Sequence, residues 1–194
     1  KKIGHLCISL SDLQARALAS GGIAHLRNAL DSFRCYLDKD IEEFLREKAL
    51  SFLDRKFCSV YLIVDEQAFD AGHIQIDAYF TLSHKSLIPC AASKSSVQKT
   101  SGFKDSQSIH FVLIGQLGKY LDQDEAGHVT AAPLSSAEIL DNAFEVIQDA
   151  DALIPCRCAL VECSENEKVH QVYLDYGFHF FQFDGTHHQF YKRI

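Results

Sequence analysis

The 194-residue chain contains no methionine, no internal repeat, no low-complexity tract and no CxxC pair. No apolar run approaches the roughly 20 residues that a bilayer-crossing helix needs, which excludes that architecture. Lys1–Leu10 carries two lysines and only a short, interrupted apolar stretch. It does not read as a secretory signal, so a cytoplasmic location and no membrane partner are expected. An excess of positive charge is also missing. Nineteen Lys and Arg stand against 26 Asp and Glu, for a net charge of -7, which argues against a broad basic surface for nucleic acid.

The seven cysteines, Cys7, Cys35, Cys58, Cys90, Cys156, Cys158 and Cys163, are odd in number, and several sit inside apolar runs. They read as reduced thiols acting as small hydrophobes. Cys156-x-Cys158 with Cys163 alternates along a strand and no clear fourth ligand follows, so no metal site is expected there. His187 and His188 are neighbours on a strand and point to opposite faces, which ranks a histidine metal site lower still.

What is present is ordinary globular material, 47% hydrophobic and 23% charged. The length suits one domain, residues 1–194, with a sizeable core. Residues 1–32 give only a poorly defined helical segment broken at Gly21-Gly22. From Lys39 to Arg55 the pattern is clearer, because Ile41, Phe44, Leu45, Ala49, Phe52 and Leu53 share one helical face. Val60–Val64 reads as a buried strand and Ile74–Leu82 as an alternating one, the two forming an antiparallel pair. Residues 83–108, rich in Ser and Lys, read as a long, mobile and partly helical connection. A strand over Ile109–Gly115, a Gly-x-x-Gly turn and a polar loop over Leu121–Pro133 follow. Then come a helix over Ser135–Asp149, a strand over Cys158–Cys163, a helix over Glu165–Tyr176 and a final antiparallel pair around Asp184-Gly185. This order predicts an α/β fold with a mixed sheet, parallel where strands are linked across the late helices.

Two helices open on the same device. Ser135-Ser136-Ala137-Glu138 and Ser164-Glu165-Asn166-Glu167 both match the capping box. The first follows a strand and a glycine-bracketed turn, Gly115-Gln116-Leu117-Gly118-Lys119, a setting in which free helix amides and the positive dipole end suit a diphosphate. Capping alone accounts equally for either box. Asn166 and Tyr173, seven residues apart, fall on nearly the same helix face.

Together these pieces resemble the GNAT superfamily of acyl-coenzyme A-dependent N-acyltransferases. Asn166-x(6)-Tyr173-x(3)-Gly177-Phe178 is similar to the late motif of that family. Phe33-Arg34-Cys35 with Asp38–Leu45, Tyr79–Ser83 and Leu113–Lys119 resemble segments of a bacterial subgroup found on mobile elements and related to acetyltransferase toxins. The likeness spans about Phe33 to Ile194, four motifs in order.

The resemblance implies a GNAT-like fold whose two central parallel strands splay apart, with acetyl-CoA as co-substrate. Gln116, Leu117, Gly118 and Lys119 would line its arm, Ser135, Ser136 and Ala137 would meet its pyrophosphate, Asn166 would touch the arm, and Tyr173 would protonate the departing thiolate. One feature departs from the family. The glycine-rich phosphate loop is replaced by Val129-Thr130-Ala131-Ala132-Pro133-Leu134-Ser135-Ser136.

Acyl transfer also needs a base for the amine, and the sequence offers Glu162 and Asp77. The expected activity is N-acetylation of a primary amine on a small molecule or protein by a monomer or homodimer. A non-catalytic coenzyme- or partner-binding module on the same fold is the alternative. Acylation of aminoacyl-tRNA ranks below both because of the net charge, although lysines 85, 94, 99, 104 and 119 leave a local basic patch open.

Overall fold

The structure is a computed structural model and describes residues 4–194. Its main sheet has seven strands: β1 (His5–Ser9), β2 (Ser59–Asp65), β3 (Ile76–Leu87), β4 (Ile109–Lys119), β7 (Cys158–Cys163), β8 (His179–Phe183) and β9 (His188–Arg193). The order across the sheet is β1-β2-β3-β4-β7-β9-β8. A separate two-stranded ribbon joins β5 (Leu121–Gln123) to β6 (Val129–Ala131). The parallel pair falls where the order of elements placed it: Val112, Leu113 and Ile114 of β4 pair with Ala159, Leu160 and Val161 of β7. β9 lies antiparallel to both β7 and β8. This is the mixed α/β architecture expected for the chain.

The chain divides into two compact units. One runs up to Thr81 and includes Gln116–Ile139; the other holds Leu82–Gly115 and Leu140–Ile194. β3, β4 and the long helix α7 (Ser136–Asp151) contribute residues to both.

In the first unit β1 pairs with β2, and helices α1 (Leu10–Ser20) and α2 (Ile23–Asp31) follow β1. The segment that looked merely helical thus opens with a strand; His5–Ser9 is too short for alternation to be legible. The predicted helix over Lys39–Arg55 is present as α3 (Lys39–Glu43), a π-helical turn (Phe44–Lys48) and α4 (Ala49–Asp54). Its core is Leu10, Leu26, Leu30, Phe33, Leu45, Leu62 and Tyr79, all nearly inaccessible. Each such side chain contributes about 1.5–3 kcal/mol by leaving water.

In the second unit Leu87, Ile109, Phe111, Cys158, Leu160, Phe181 and Tyr191 form one cluster. The connection over residues 83–108 is partly helical, as expected, and also holds the end of β3: β3 continues to Leu87, and α6 (Lys94–Ser101) is capped by Ser93, whose hydroxyl accepts from Ser96 N. The short helix α5 (Glu66–Asp70) and helix α8 (Glu167–Asp175) complete the fold. Among the described residues no helix is long and apolar enough to cross a membrane.

Candidate active site

Two strand ends and two helix starts carry the residues singled out from the sequence. In the first unit, the glycine-bracketed segment is not a turn, because β4 runs straight through to Lys119. Gln116 N donates to the Thr81 hydroxyl at 2.9 Å. Gly118 is glycine for a packing reason: a Cβ there would lie 2.5 Å from Ile41 Cγ2 and 2.6 Å from Tyr79 Cε1. The Tyr79 ring is fully buried, stacks on Phe44 and donates its hydroxyl to the Ile41 carbonyl at 2.6 Å. Lys119 is engaged too, its ammonium donating to the Leu134 carbonyl at 3.0 Å. That bond ties the end of β4 to the residue just before the α7 cap.

At α7 the capping box forms. Ser135 N and Oγ donate to Glu138 Oε2 at 2.7 and 3.0 Å, and Glu138 N donates back to Ser135 Oγ at 3.2 Å. The amides of Ser136 and Ala137, in the first turn, have no intrahelical acceptor and are the donors an anion would meet. A carboxylate already sits at this helix start, however, and would repel a pyrophosphate there. The stretch ahead of the cap, expected as a polar loop, is the β5–β6 hairpin, closed by Asp124, whose Oδ1 accepts from Ala126 N and His128 N. Ala132 N then donates to the Tyr120 carbonyl at 3.0 Å. Hydrogen bonds take the place of the missing glycines in fixing this segment.

Asp77, offered as a base, lies at the start of β3 with its side chain 4% exposed. Its Oδ2 meets His5 Nε2 at 3.1 Å and its Oδ1 accepts from Gln75 at 3.2 Å. One oxygen ties β3 to β1, and the other accepts from the residue just ahead of β3.

In the second unit, α8 starts differently from the prediction. Its N-cap is Asn166, not Ser164: Oδ1 of Asn166 accepts from Lys168 N at 3.1 Å and Val169 N at 3.3 Å. Two more residues thus stay outside the helix, and the asparagine carbonyl oxygen is committed to the cap. The other end explains the spacing of the late motif. Phe178 N donates to Tyr173 O and Gly177 N to Leu174 O, the paired bonds of a Schellman stop, with Gly177 at φ 93° in the left-handed region that the stop requires. The motif's first and last aromatics, Tyr173 and Phe178, close it with ring centroids 5.6 Å apart.

Tyr173 also packs on Phe190 and is 9% exposed. Burial first, and the neighbouring Cys163 second, push its phenol well above the ordinary tyrosine range. It stays protonated at any physiological pH. Its hydroxyl has no hydrogen-bond partner among the described residues. Cys163 itself is pushed up to about 11 by burial.

Glu162, the other base candidate, sits near the end of β7. Its Oε2 meets Lys85 Nζ at 3.2 Å and its Oε1 accepts from Gln189 Nε2 at 2.7 Å, with the side chain 15% exposed. A carboxylate has about four acceptor sites, so two remain for an incoming donor. The sequence reading missed Gln189 and gave Lys85 no role beyond the basic patch. No local signal marked Gln189, since it lies in a strand, His188–Arg193, that also holds a histidine, a lysine and an arginine.

No protein-family model and no curated protein matches the chain. Solved structures do. AtaT complexed with acetyl-methionyl-tRNAfMet superposes with a TM-score of 0.67 at 19% identity, over 98% of this chain and 95% of that one. A tyrosine-to-phenylalanine mutant of KacT gives 0.68 at 15%, over 97% and 94%. A mutant AtaT toxin bound to the C-terminus of the antitoxin AtaR and acetyl-CoA gives 0.62 at 16%, over 98% and 93%. At these identities the likeness bears on the fold alone. The chain shares the mixed α/β fold of these AtaT and KacT structures.

Proposed function

We propose that the chain is an acetyl-CoA-dependent N-acetyltransferase that acylates a primary amine. The observation that supports this most directly is the fold shared, over nearly the whole chain, with a protein solved with acetyl-CoA bound. The buried, protonated phenol of Tyr173 adds a chemical reason, since acyl transfer from a thioester needs an acid for the departing thiolate.

In this reading Gln116–Lys119 lines the coenzyme arm, and the Leu117 amide polarises the thioester carbonyl. The first-turn amides of Ser136 and Ala137, with Ser135, receive the pyrophosphate, and Asn166 offers its remaining amide hydrogens to the arm. Glu162 takes the proton of the attacking amine, directly or through water. Nitrogen then bonds the carbonyl carbon, the carbon–sulfur bond breaks, and Tyr173 gives its proton to the sulfur. Both carboxylates have each oxygen engaged, and Glu162 is preferred to Asp77 because its side chain is 15% exposed against 4%.

The acceptor is a primary amine. Among amines, the α-amino group of an aminoacyl-tRNA gains support from the AtaT complex with acetyl-methionyl-tRNAfMet, against the net charge of -7. A second reading, a coenzyme- or partner-binding module without turnover, is favoured by one observation: the Glu138 carboxylate occupies the helix start where phosphate would bind. Thermal shift with acetyl-CoA, followed by thiol release against small amines, peptides and methionyl-tRNA, separates the two. Binding with release is expected. Binding without release on any amine supports the module, and no binding removes both.

A further inference from the structure

The candidate base is the end of a longer chain of hydrogen bonds. Gln189 is fully buried in β9. Its amide group gives one hydrogen to Glu162 Oε1 at 2.7 Å and the other to Asp184 Oδ2 at 3.0 Å. Its carbonyl oxygen accepts from Gln182 Nε2 at 2.9 Å, across the register in which β8 and β9 pair. Gln182 is 2% exposed. It donates its second hydrogen to the Ile88 carbonyl at 3.2 Å, and its oxygen accepts from Ala91 N at 3.1 Å and from the Cys90 thiol at 3.7 Å.

The direction of this chain is forced. Ionised carboxylates only accept, so the NH2 end of Gln189 must face Glu162 and Asp184. Its carbonyl must then face Gln182, whose NH2 end turns toward it. The oxygen of Gln182 is left for the Ala91 amide. Both buried amides thus have every hydrogen used, and reversing either would leave donors against donors at a cost no buried site tolerates cheaply. Apolar side chains in the same two positions would fill the core without this constraint, so packing alone does not call for two facing glutamines. Lys85, with its side chain 39% exposed, adds only a weakly held ion pair at the other carboxylate oxygen.

We infer that Gln189 and Gln182 form a relay that positions Glu162 and couples it to the Ile88–Ala91 segment, with Gln189 the positioning residue. The relay joins the last hairpin to the connection after β3. An acceptor seated on Ile88–Ala91 would be felt at the carboxylate that takes its proton. The catalytic half of this inference rests on the acetyltransferase reading; the structural half does not.

Two measurements test the halves separately. In the free protein, amide hydrogen exchange followed by NMR is compared between wild type and Gln189→Met, which keeps volume and removes the bonds. Exchange at Ala91 N is expected to quicken roughly five- to tenfold while the Leu160 and Val161 amides hold their rates. An unchanged Ala91, or an equal rise at all amides, overturns the relay. Should Gln189→Met not fold, Gln182→Met is read at the opposite end, by exchange of the Gln189 side-chain amide hydrogens against the same references, with the same two overturning results. With acetyl-CoA and an amine that wild type accepts, Gln189→Met is expected to lower kcat in the wild-type background and to add almost nothing on top of Glu162→Gln. Full additivity overturns the positioning role. If wild type acetylates no amine, the acetyltransferase reading fails, and the Ala91 comparison still decides whether the relay exists.

Discussion

The two units treat the same chemical group in opposite ways. Asp77 in the first is enclosed, with one oxygen on His5 and the other on Gln75. Glu162 in the second is held by Gln189 from β9 and Lys85 from β3 yet keeps more of its surface open, 15% against 4%. Both lie on strands beside apolar residues, and both were equal candidates by sequence. Each carboxylate makes one bond per oxygen, so exposure rather than bond count separates them, and the more open one can serve a ligand. The same contrast separates the helix starts. The α7 cap uses a charged glutamate and the α8 cap a neutral asparagine.

The largest expected effect breaks this comparison at its centre. Glu162→Gln should lower transfer by roughly 10²- to 10⁴-fold with the fold intact. Asp77→Ala should instead cost about 1–2 kcal/mol of stability, because it strips half-buried His5 of its partner while exposed Gln75 turns to water, and turnover per folded molecule stays close to wild type. Chemical denaturation alongside steady-state kinetics reads both. If Asp77→Ala abolishes transfer in a stable protein, the assignment of the two carboxylates is reversed.

A smaller effect concerns the phenols. Burial raises Tyr79 and Tyr173 above the ordinary range in the folded chain. Unfolded tyrosine ionises near 10, so the stability these neutral phenols contribute is complete below about pH 10 and is lost as pH climbs beyond it. Circular dichroism across pH 9–12 should show alkaline unfolding. Tyr173→Phe, with one ionising phenol fewer, should move its midpoint upward. A midpoint that does not respond would mean Tyr173 is more open than its packing on Phe178 and Phe190 indicates.

The smallest effect lies at the α7 cap. Glu138→Gln removes the negative charge from the helix start while leaving an oxygen for Ser135. Acetyl-CoA affinity is expected to rise by about two- to fivefold, the scale of one charge at a helix terminus. Isothermal titration measures it. Weaker binding after the substitution would show that the carboxylate helps rather than hinders the coenzyme.

Much of the architecture was legible because it is local or periodic. The helical face from Ile41 to Leu53, the apolar run Val60–Val64 and the capping box at Ser135 each need only a few consecutive residues. The π-helical turn at Phe44–Lys48 and the strand His5–Ser9 left no such trace. Gly118 misled for a physical reason: a glycine that suits a turn also suits a strand lying under a large ring, and the ring of Tyr79 is 39 residues from Gly118 in the chain.

The spacing Tyr173-x-x-x-Gly177-Phe178 was settled by sequence alone, since a Schellman stop fixes glycine and its flanking aromatics through bonds within a single helix end. The order of elements likewise determined a mixed sheet with a parallel pair. What only the tertiary structure decided was the state of each candidate group. His5 lies 72 positions from Asp77, and Lys85 lies 77 from Glu162. Whether a carboxylate is locked, relayed or open depends on donors that reach it from distant strands, and no local pattern carries that information.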